Sequence, residues 1–546
     1  MKITHHVKKQ VNIWAILSFA IIGLILLPNL IVGVEFFTKG NDNWQHIKEY
    51  LLFDIVSNTV ILLVFTGVFT TVIGSSLAWL ITAYTFPLRN FLKWALFLPL
   101  AIPPFIGAYT YQGIFNYTGI VQSTLRNVFD IQVNPKYINL ATMEGTIFIF
   151  TMFLFPYIYV ITKGFLENQS ASIIETAQLL GVSSFKIFFK IILPLSRAAI
   201  IGGVMIVLLE VINDYGVVKY FGIQTFITAI FQTWFGMGDL DSAFKLAGTL
   251  MIVVMTVLIL EKLLRGRKRF SYSTTRVRPI QPRRLTGLKA WIAFGYAFLI
   301  FSLAFFIPFL QLVMWVFMTH DKILTAEFIT LVKNSLFVAT ISAAIIVSVA
   351  LIVANYTRLY RGLITKILSK VTVVGYTIPG AIIAIGVVTV FIALDDWVYS
   401  IFTQLNIDLT FYFRTSFIML VAAYVIRFLS VGYNSVEAGF EKVGNQFTEA
   451  SRTLGSSTFR TFYKVDLPLV KASLLGGFIL AFVDILKELP LTMLLQPFNF
   501  STLATKAFVY ANDEMVNEAA SASVLIILIS GICIFFFHKV LEGEPK

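Results

Sequence analysis

Long apolar runs separated by short polar gaps recur along the whole chain, and the runs are as long as a bilayer core is thick. A helix needs about 20 such residues to cross, so each run predicts a membrane span. About twelve runs qualify: 13–34, 56–83, 94–115, 143–165, 195–218 and 242–264, then 290–318, 329–356, 371–394, 416–436, 470–493 and 519–539. Pro103-Pro104 and Pro379 fall inside two of them and predict kinks or breaks, because proline removes a backbone donor and clashes with the preceding turn. The first run follows Lys2, Lys8 and Lys9. It is too long for a signal-peptide core and has no small-residue cleavage site, so it is read as a retained span.

Composition supports this. Hydrophobic types make up 58% of the 546 residues and charged types 13%, against about 45 to 50% and 25% in soluble domains, which excludes a water-soluble chain. The net charge of +13 is then loop charge and not a nucleic-acid footprint, and no nucleic-acid partner is expected. If Lys8 and Lys9 are cytoplasmic, so are the connections holding Arg89, Lys93, Lys186, Lys190, Arg358, Arg361, Lys366 and Lys370. The opposite connections lean acidic, with Glu35, Asp42, Glu49 and Asp54, then Asp395, Asp396 and Asp408, then Asp513, Glu514 and Glu518. The expectation is a multi-pass protein of the cytoplasmic (inner) membrane with both termini cytoplasmic. The single cysteine, Cys533, excludes an intramolecular disulfide and a cysteine-based zinc site. His5 and His6 make a pair that is either a solvated tail or a metal-binding one.

Residues 265–289 carry Arg265, Arg267, Lys268, Arg269, Arg276, Arg278, Arg283, Arg284 and Lys289, no acid, and Pro279 and Pro282. This reads as a basic cytoplasmic linker beside anionic membrane lipid. On either side of it the chain repeats. ETAQLLGVSSFKIFFKIILP at 175–194 matches EASRTLGSSTFRTFYKVDLP at 449–468 with an offset of 274. Glu175 pairs with Glu449, Gly181 with Gly455 and Pro194 with Pro468, and Gly202-Gly203 continues onto Gly476-Gly477. Upstream, Pro103 and Pro379 align at an offset of 276. The fold class expected is therefore an all-α integral membrane protein of about twelve transmembrane helices in two homologous six-helix halves, 1–264 and 290–546. Each repeat, within about 166–194 and 437–468, predicts a short helix, a turn at the glycine, and a second helix that enters the membrane at Leu-Pro.

Glu210 and Asp214 are spaced i, i+4, which puts both on one face of the fifth span, and the offset carries them onto Asp484 and Glu488. Carboxylates at membrane depth cost about 2.5 to 3.5 kcal/mol each, so they line a wet path or are paired. Four near a pseudo-twofold axis would draw a hard, highly charged cation such as Fe(III). Solvated or ion-paired helix ends remain the alternative, since Lys487 adjoins the second pair. Tyr109, Tyr111 and Tyr215 offer phenolic oxygens or form an interface belt. No metal ligands are assigned. The chain has no G-x-x-x-x-G-K-[ST] loop, so it binds no ATP itself and no cofactor is expected on it.

The repeated segment resembles the coupling-loop signature E-A-A, three residues, G, nine residues, I-x-L-P of permease subunits of ATP-binding-cassette importers. Glu175, Ala177, Gly181, Ile191, Leu193 and Pro194 match in the first copy, and Glu449, Ala450, Gly455, Leu467 and Pro468 in the second. Thr176, Ser451 and Val465 depart from it. The resemblance implies a type I importer permease fold and no enzymatic activity in this chain. It also implies a fused permease whose two loops dock two copies of a cytoplasmic ATPase, the subunits that use ATP, and an extracytoplasmic binding protein that delivers the substrate. The run from Lys487 to Thr492, then Leu494 to Phe500 and Thr502 to Thr505, with the first-half run Glu210 to Gly216, resembles the ferric-iron importer subfamily. A basic residue is more usual there than Gln496, and fused thiamine permeases share much of the layout, so thiamine, a polyamine or another small solute stays open as cargo. A secondary transporter is the competing class, although it has no reason to repeat a cytoplasmic loop. An embedded enzyme is the third, and no nucleophile, base and orienter are visible.

Overall fold

The computed structural model describes residues 13–131, 133–134, 137–167, 169, 172–265, 280–323, 325–360, 362–405 and 412–542. His5, His6, the lysines before Ile13, Arg361, Asp408 and residues 266–279 of the basic linker lie outside these.

Among the described residues, nine helices are long and apolar enough to cross a membrane, and three bent helix pairs bring the number to twelve. In the first half the spans are Ile13–Phe36, Asp42–Ala83, the pair Arg89–Ala101 with Pro104–Asn127, Met143–Glu167, the pair Phe188–Leu195 with Arg197–Asn213, and Leu240–Arg265. The second half has Leu288–Thr319, Ala326–Leu359, Gly380–Gln404, Phe417–Val443, the pair Thr458–Leu469 with Lys471–Lys487, and Val516–Phe536. They fall on the twelve runs and are numbered spans 1 to 12 below.

The prolines act as breaks. Span 3 bends by 95° between Ala101 and Pro104. Pro103 and Pro379 both stand just ahead of a helix, with φ −57° and ψ 140° in one and φ −54° and ψ 140° in the other. The repeat therefore extends to matching backbone angles.

The halves exchange their first spans. Span 1 packs on span 9, where Pro28 approaches so closely that a Cβ on Gly386 would lie 2.4 Å from the Pro28 carbonyl oxygen. Span 7 packs on span 3, with the Trp315 ring over Gly113 and the Tyr111 hydroxyl donating to the Leu303 carbonyl. The far end of span 1 is fastened to span 6 by the buried Lys245, whose ammonium donates to the carbonyls of Glu35 (2.9 Å), Phe36 (2.9 Å) and Thr38 (2.5 Å). A cation at a helix C-terminus satisfies orphan carbonyls and complements the helix dipole. Of the linker, Arg283 and Arg284 run parallel to Tyr84 and Thr85 at the end of span 2, and Leu285 N–H donates to Thr85 O at 2.9 Å.

Candidate translocation site and coupling segments

The two repeated segments have the same backbone. Helices Ser172–Leu179 and Gln446–Thr453 are each followed by a left-handed glycine, Gly181 at φ 74° and Gly455 at φ 85°. Val182 N–H reaches back to Ala177 O at 3.0 Å, and Ser456 N–H to Ser451 O at 3.2 Å. This is a Schellman turn, in which a residue without Cβ avoids the left-handed penalty and the last carbonyls are satisfied. Each then enters a wide i→i−5 turn, Phe188–Ile192 or Phe462–Asp466, and a three-residue helix containing Pro194 or Pro468.

One expectation needs correcting here. The prolines do not start the fifth and eleventh spans: the chain bends two residues later, by 67° at Ser196 and 69° at Val470, and the spans begin at Arg197 and Lys471. A proline is tolerated in the first turn of a helix, so it can start the three-residue helix without setting the bend. Ala177 is buried and Glu175 half-buried, whereas Glu449 and Ala450 are exposed. Leu193 and Leu467 are half-buried and both prolines exposed. Leu179 (88%), Leu180 (77%) and Leu454 (86%) leave large apolar side chains uncovered on these segments. The second segment is also held from within: Asp466 accepts from Thr448 Oγ1 at 2.5 Å and pairs with Arg358 of span 8 at 2.9 Å.

Spans 5 and 11 carry Glu210 and Asp484, and the second carboxylate of each pair follows just past the helix end, facing the same cavity as its partner. Span 5 ends at Asn213 and span 11 at Lys487, so Asp214 (φ −75°, ψ 117°) and Glu488 (φ −68°, ψ 125°) lie just beyond helices that stop. The stop has two causes. Each carboxylate turns to accept from the start of a new short helix, Asp214 from Val217 N–H at 2.7 Å and Glu488 from Leu491 N–H at 3.3 Å. The new helices are Gly216–Tyr220 and Pro490–Leu495. Gly216 lies against Phe105 so tightly that an added Cβ would be 2.5 Å away, and Pro490, its equivalent, has no N–H with which to continue span 11. Broken helices whose short N-termini face a cavity are a recurring device of membrane transport sites.

All four carboxylates meet in one cavity of about 100 Å³ between the halves, lined also by Pro103 and Pro104 of the span 3 break and by Tyr376. Glu210 accepts from the Tyr376 hydroxyl at 2.8 Å. Asp484 lies 3.5 Å from Lys487, and Glu488 lies 3.4 Å from Arg427 Nε. Arg427 Nη1 also donates across the halves to Asn213 Oδ1 at 2.9 Å, and that oxygen accepts Gly380 N–H at 2.7 Å. Among the described residues no three His, Cys, Asp or Glu side chains are grouped to hold a metal ion. Arg427, Tyr376 and Tyr157, which also line the cavity, were not singled out from the sequence, and Asn213 entered only as part of the run Glu210 to Gly216. Only Arg427 leaves a signal there, as a charge in the middle of an apolar run. Tyr109, Tyr111 and Tyr215 do not line the cavity: the first two bond to Ser523 and Leu303, and Tyr215 stacks on Phe231 at 3.7 Å.

Two homologous halves, matched repeated segments and a charged cavity between them are the features of a transport permease. Residues 70–260 and 346–544 match the family described as binding-protein-dependent transport system inner membrane component, and the chain belongs to that family. It is a fused, multi-pass inner-membrane permease of an ATP-binding-cassette importer. It is similar to the Fe(3+)-transport system permease protein FbpB 2 of Haemophilus influenzae, at 25% identity over 532 residues, 96% of this chain and 98% of that one. It is also similar to the ferric transport system permease protein FbpB of Actinobacillus pleuropneumoniae, at 22% over 507 residues, 88% of this chain and 70% of the other. The spermidine/putrescine transport system permease protein PotB of Escherichia coli shares 23% over 211 residues, 36% of this chain and 75% of its own.

Proposed function

We propose that this chain moves Fe(III) inward across the membrane, through the cavity that holds Glu210, Asp214, Asp484 and Glu488, in a complex with two copies of an ATPase and an extracytoplasmic binding protein. The observation that carries the reading is the pairing of oxygen-rich chemistry with matched handles: four carboxylates between two halves, each half carrying the same Gly-hinged segment ahead of its fifth span. Carboxylate oxygens suit a hard cation, and a site that conducts must release as readily as it binds. Similarity over most of the chain to permeases named for ferric transport supports the same cargo.

The segments around Glu175 and Glu449 are the docking elements, their exposed Leu179, Leu180 and Leu454 being apolar surface for a partner to cover. ATP acts on the partner subunits. Its binding draws the two ATPases together, the handles follow, and spans 5 and 11 part to open the cavity outward; hydrolysis resets it. The chain needs no cofactor of its own, both termini and the 265–289 linker lie on the ATPase side, and the permease units are 1–264 and 290–546.

Uptake of labelled Fe(III) by cells with and without the chain tests the reading, repeated with Glu449→Ala, with ATP depleted, and with Asp214→Asn combined with Glu488→Gln. Uptake that needs the chain, ATP, Glu449 and the two carboxylates is expected. Unchanged iron uptake with an intact ATPase complex would remove iron as cargo, and polyamines, which carboxylates also suit, would be tried next, then thiamine.

A further inference from the structure

The cavity is symmetric in its acids and one-sided in its bases. Glu210 matches Asp484 and Asp214 matches Glu488, yet Lys487 and Arg427 both come from the second half. The register is visible in the packing: Gly203 lies against Ile158 and Gly477 against Gly432, each pair offset by the same 274. By that register the first half has Asn213 where the second has Lys487, and Phe153 where it has Arg427.

The surroundings of Arg427 are built for a guanidinium. It is 6% exposed, and it reaches from Glu488 of its own half to Asn213 of the other. Span 9 begins beneath it with Gly380, where an added Cβ would lie 2.8 Å from Nη1; the first-half equivalent, with no cation to seat, is Pro104. Asn213 Oδ1 holds two donors from the second half at once, Arg427 Nη1 and Gly380 N–H. Both bonds join the end of span 5 to spans 10 and 9 of the second half, so parting of the halves there breaks them and leaves the guanidinium with Glu488.

We infer that Arg427 closes the pathway to small cations: clasped between Glu488 and Asn213 while the halves meet, its fixed positive charge blocks protons and sodium ions, and it withdraws with the second half when the path opens. A cation held in a low-dielectric constriction is an effective barrier to other cations. The block matters because four carboxylates without it would make a ready route for leakage down the membrane potential. This rests on the reading that the cavity lies on the transport path, but not on iron as its cargo.

The test is passive leak of protons and of sodium ions into proteoliposomes that contain the assembled importer without ATP. Arg427→Gln is expected to raise the leak by roughly tenfold or more, which corresponds to a barrier lowered by about 1.4 kcal/mol. Arg427→Lys, which keeps the charge, is expected to leak like the parent. Should Arg427→Gln not fold because Glu488 loses its partner, the double variant Arg427→Gln with Glu488→Gln removes both charges together and should leak as well. ATP hydrolysis by each assembled variant reports that the permease is folded. No rise in leak in the folded neutral variants overturns the inference, and an equal rise in Arg427→Lys overturns it too, because a packing defect and not charge would be responsible. Labelled Fe(III) uptake by the parent in the same vesicles is scored separately, so loss of the iron reading leaves the leak comparison intact.

Discussion

The buried pair Arg358–Asp466 ties the second repeated segment to span 8, and its worth can be worked from its neighbours. The two side chains are 9% and 4% exposed and 2.9 Å apart. Asp466 also accepts from Thr448, while Arg358 lies 3.2 Å from Asn355 Oδ1 and stacks over the Phe440 ring at 4.2 Å. The first half carries buried Ile192 where the second has Asp466, so Asp466→Ile puts in a side chain already used at the equivalent place. Alone, that change strands the guanidinium, and breaking a buried pair by removing one partner costs about 3 to 5 kcal/mol. Asn355 and Phe440 remain as partial partners, which points to the lower end, about 3 kcal/mol. Adding Arg358→Met removes the stranded charge, and a well-packed apolar replacement is often nearly neutral, so the double variant should recover about 2 kcal/mol of that loss. Denaturant titration of the purified chain in lipid-containing micelles, run on both single variants and the double, measures the coupling. A double variant as unstable as the sum of the two single ones would refute the assignment of a buried ion pair.

Three further outcomes follow from the same geometry. Gly181→Ala and Gly455→Ala meet no neighbouring atom, so they isolate the cost of left-handed backbone, about 1 to 2 kcal/mol; ATP-driven uptake should fall while membrane insertion stays normal, and asparagine, which tolerates that conformation, should restore part of it. Lys245→Met leaves the carbonyls of Glu35, Phe36 and Thr38 without their donor, at a cost of about 2 kcal/mol, and should raise hydrogen exchange over residues 35–43. At the start of span 6, burial pushes the Asp239 carboxyl up, but hydrogen bonds from Ser242, Asn43 and Asn41 outweigh it and hold the group below the usual carboxylate range. A depressed folded pKa contributes stability that is present above the unfolded value of about 3.9 and is lost as pH falls through the folded one. Asp239→Asn should therefore show a stability deficit near neutrality that closes in acid, and a deficit independent of pH would contradict this.

Much of the fold was legible because a bilayer imposes one length scale, and all twelve apolar runs became spans or bent pairs. The turn glycines were legible too, because Gly181 and Gly455 recur in a repeated segment and left-handed backbone favours that residue. The i, i+4 reading of Glu210 and Asp214 puts both on one side, and they do line one cavity, but it did not show the helix end: span 5 stops at Asn213, where the Asp214 carboxylate captures Val217 N–H and starts another helix. Pro490 shows the same break openly in the second half, and the repeat could have carried it back to Gly216. The partners of the carboxylates were hidden in a different way. Tyr376 and Arg427 lie 166 and 214 residues from the groups they bond in the first half, and no local pattern encodes such a meeting.

The halves agree in backbone and differ in charge. Schellman turns at Gly181 and Gly455, breaks at Pro103 and Pro379, and bends of 67° and 69° give each half the same course into the membrane. The differences gather at Phe153 against Arg427, Asn213 against Lys487, and Ile192 against Asp466. Electrostatics gives a reason for the first. A permease made of two identical subunits would have to place an arginine on both sides of a cavity of only about 100 Å³. Two unit charges about 6 Å apart repel by about 3 kcal/mol at an effective dielectric constant near 20, a cost added to that of seating Lys487 and only offset in part by the carboxylates. Joining two unlike halves in one chain removes that constraint: a single guanidinium can bridge to a neutral Asn213 and hold the halves together instead of driving them apart.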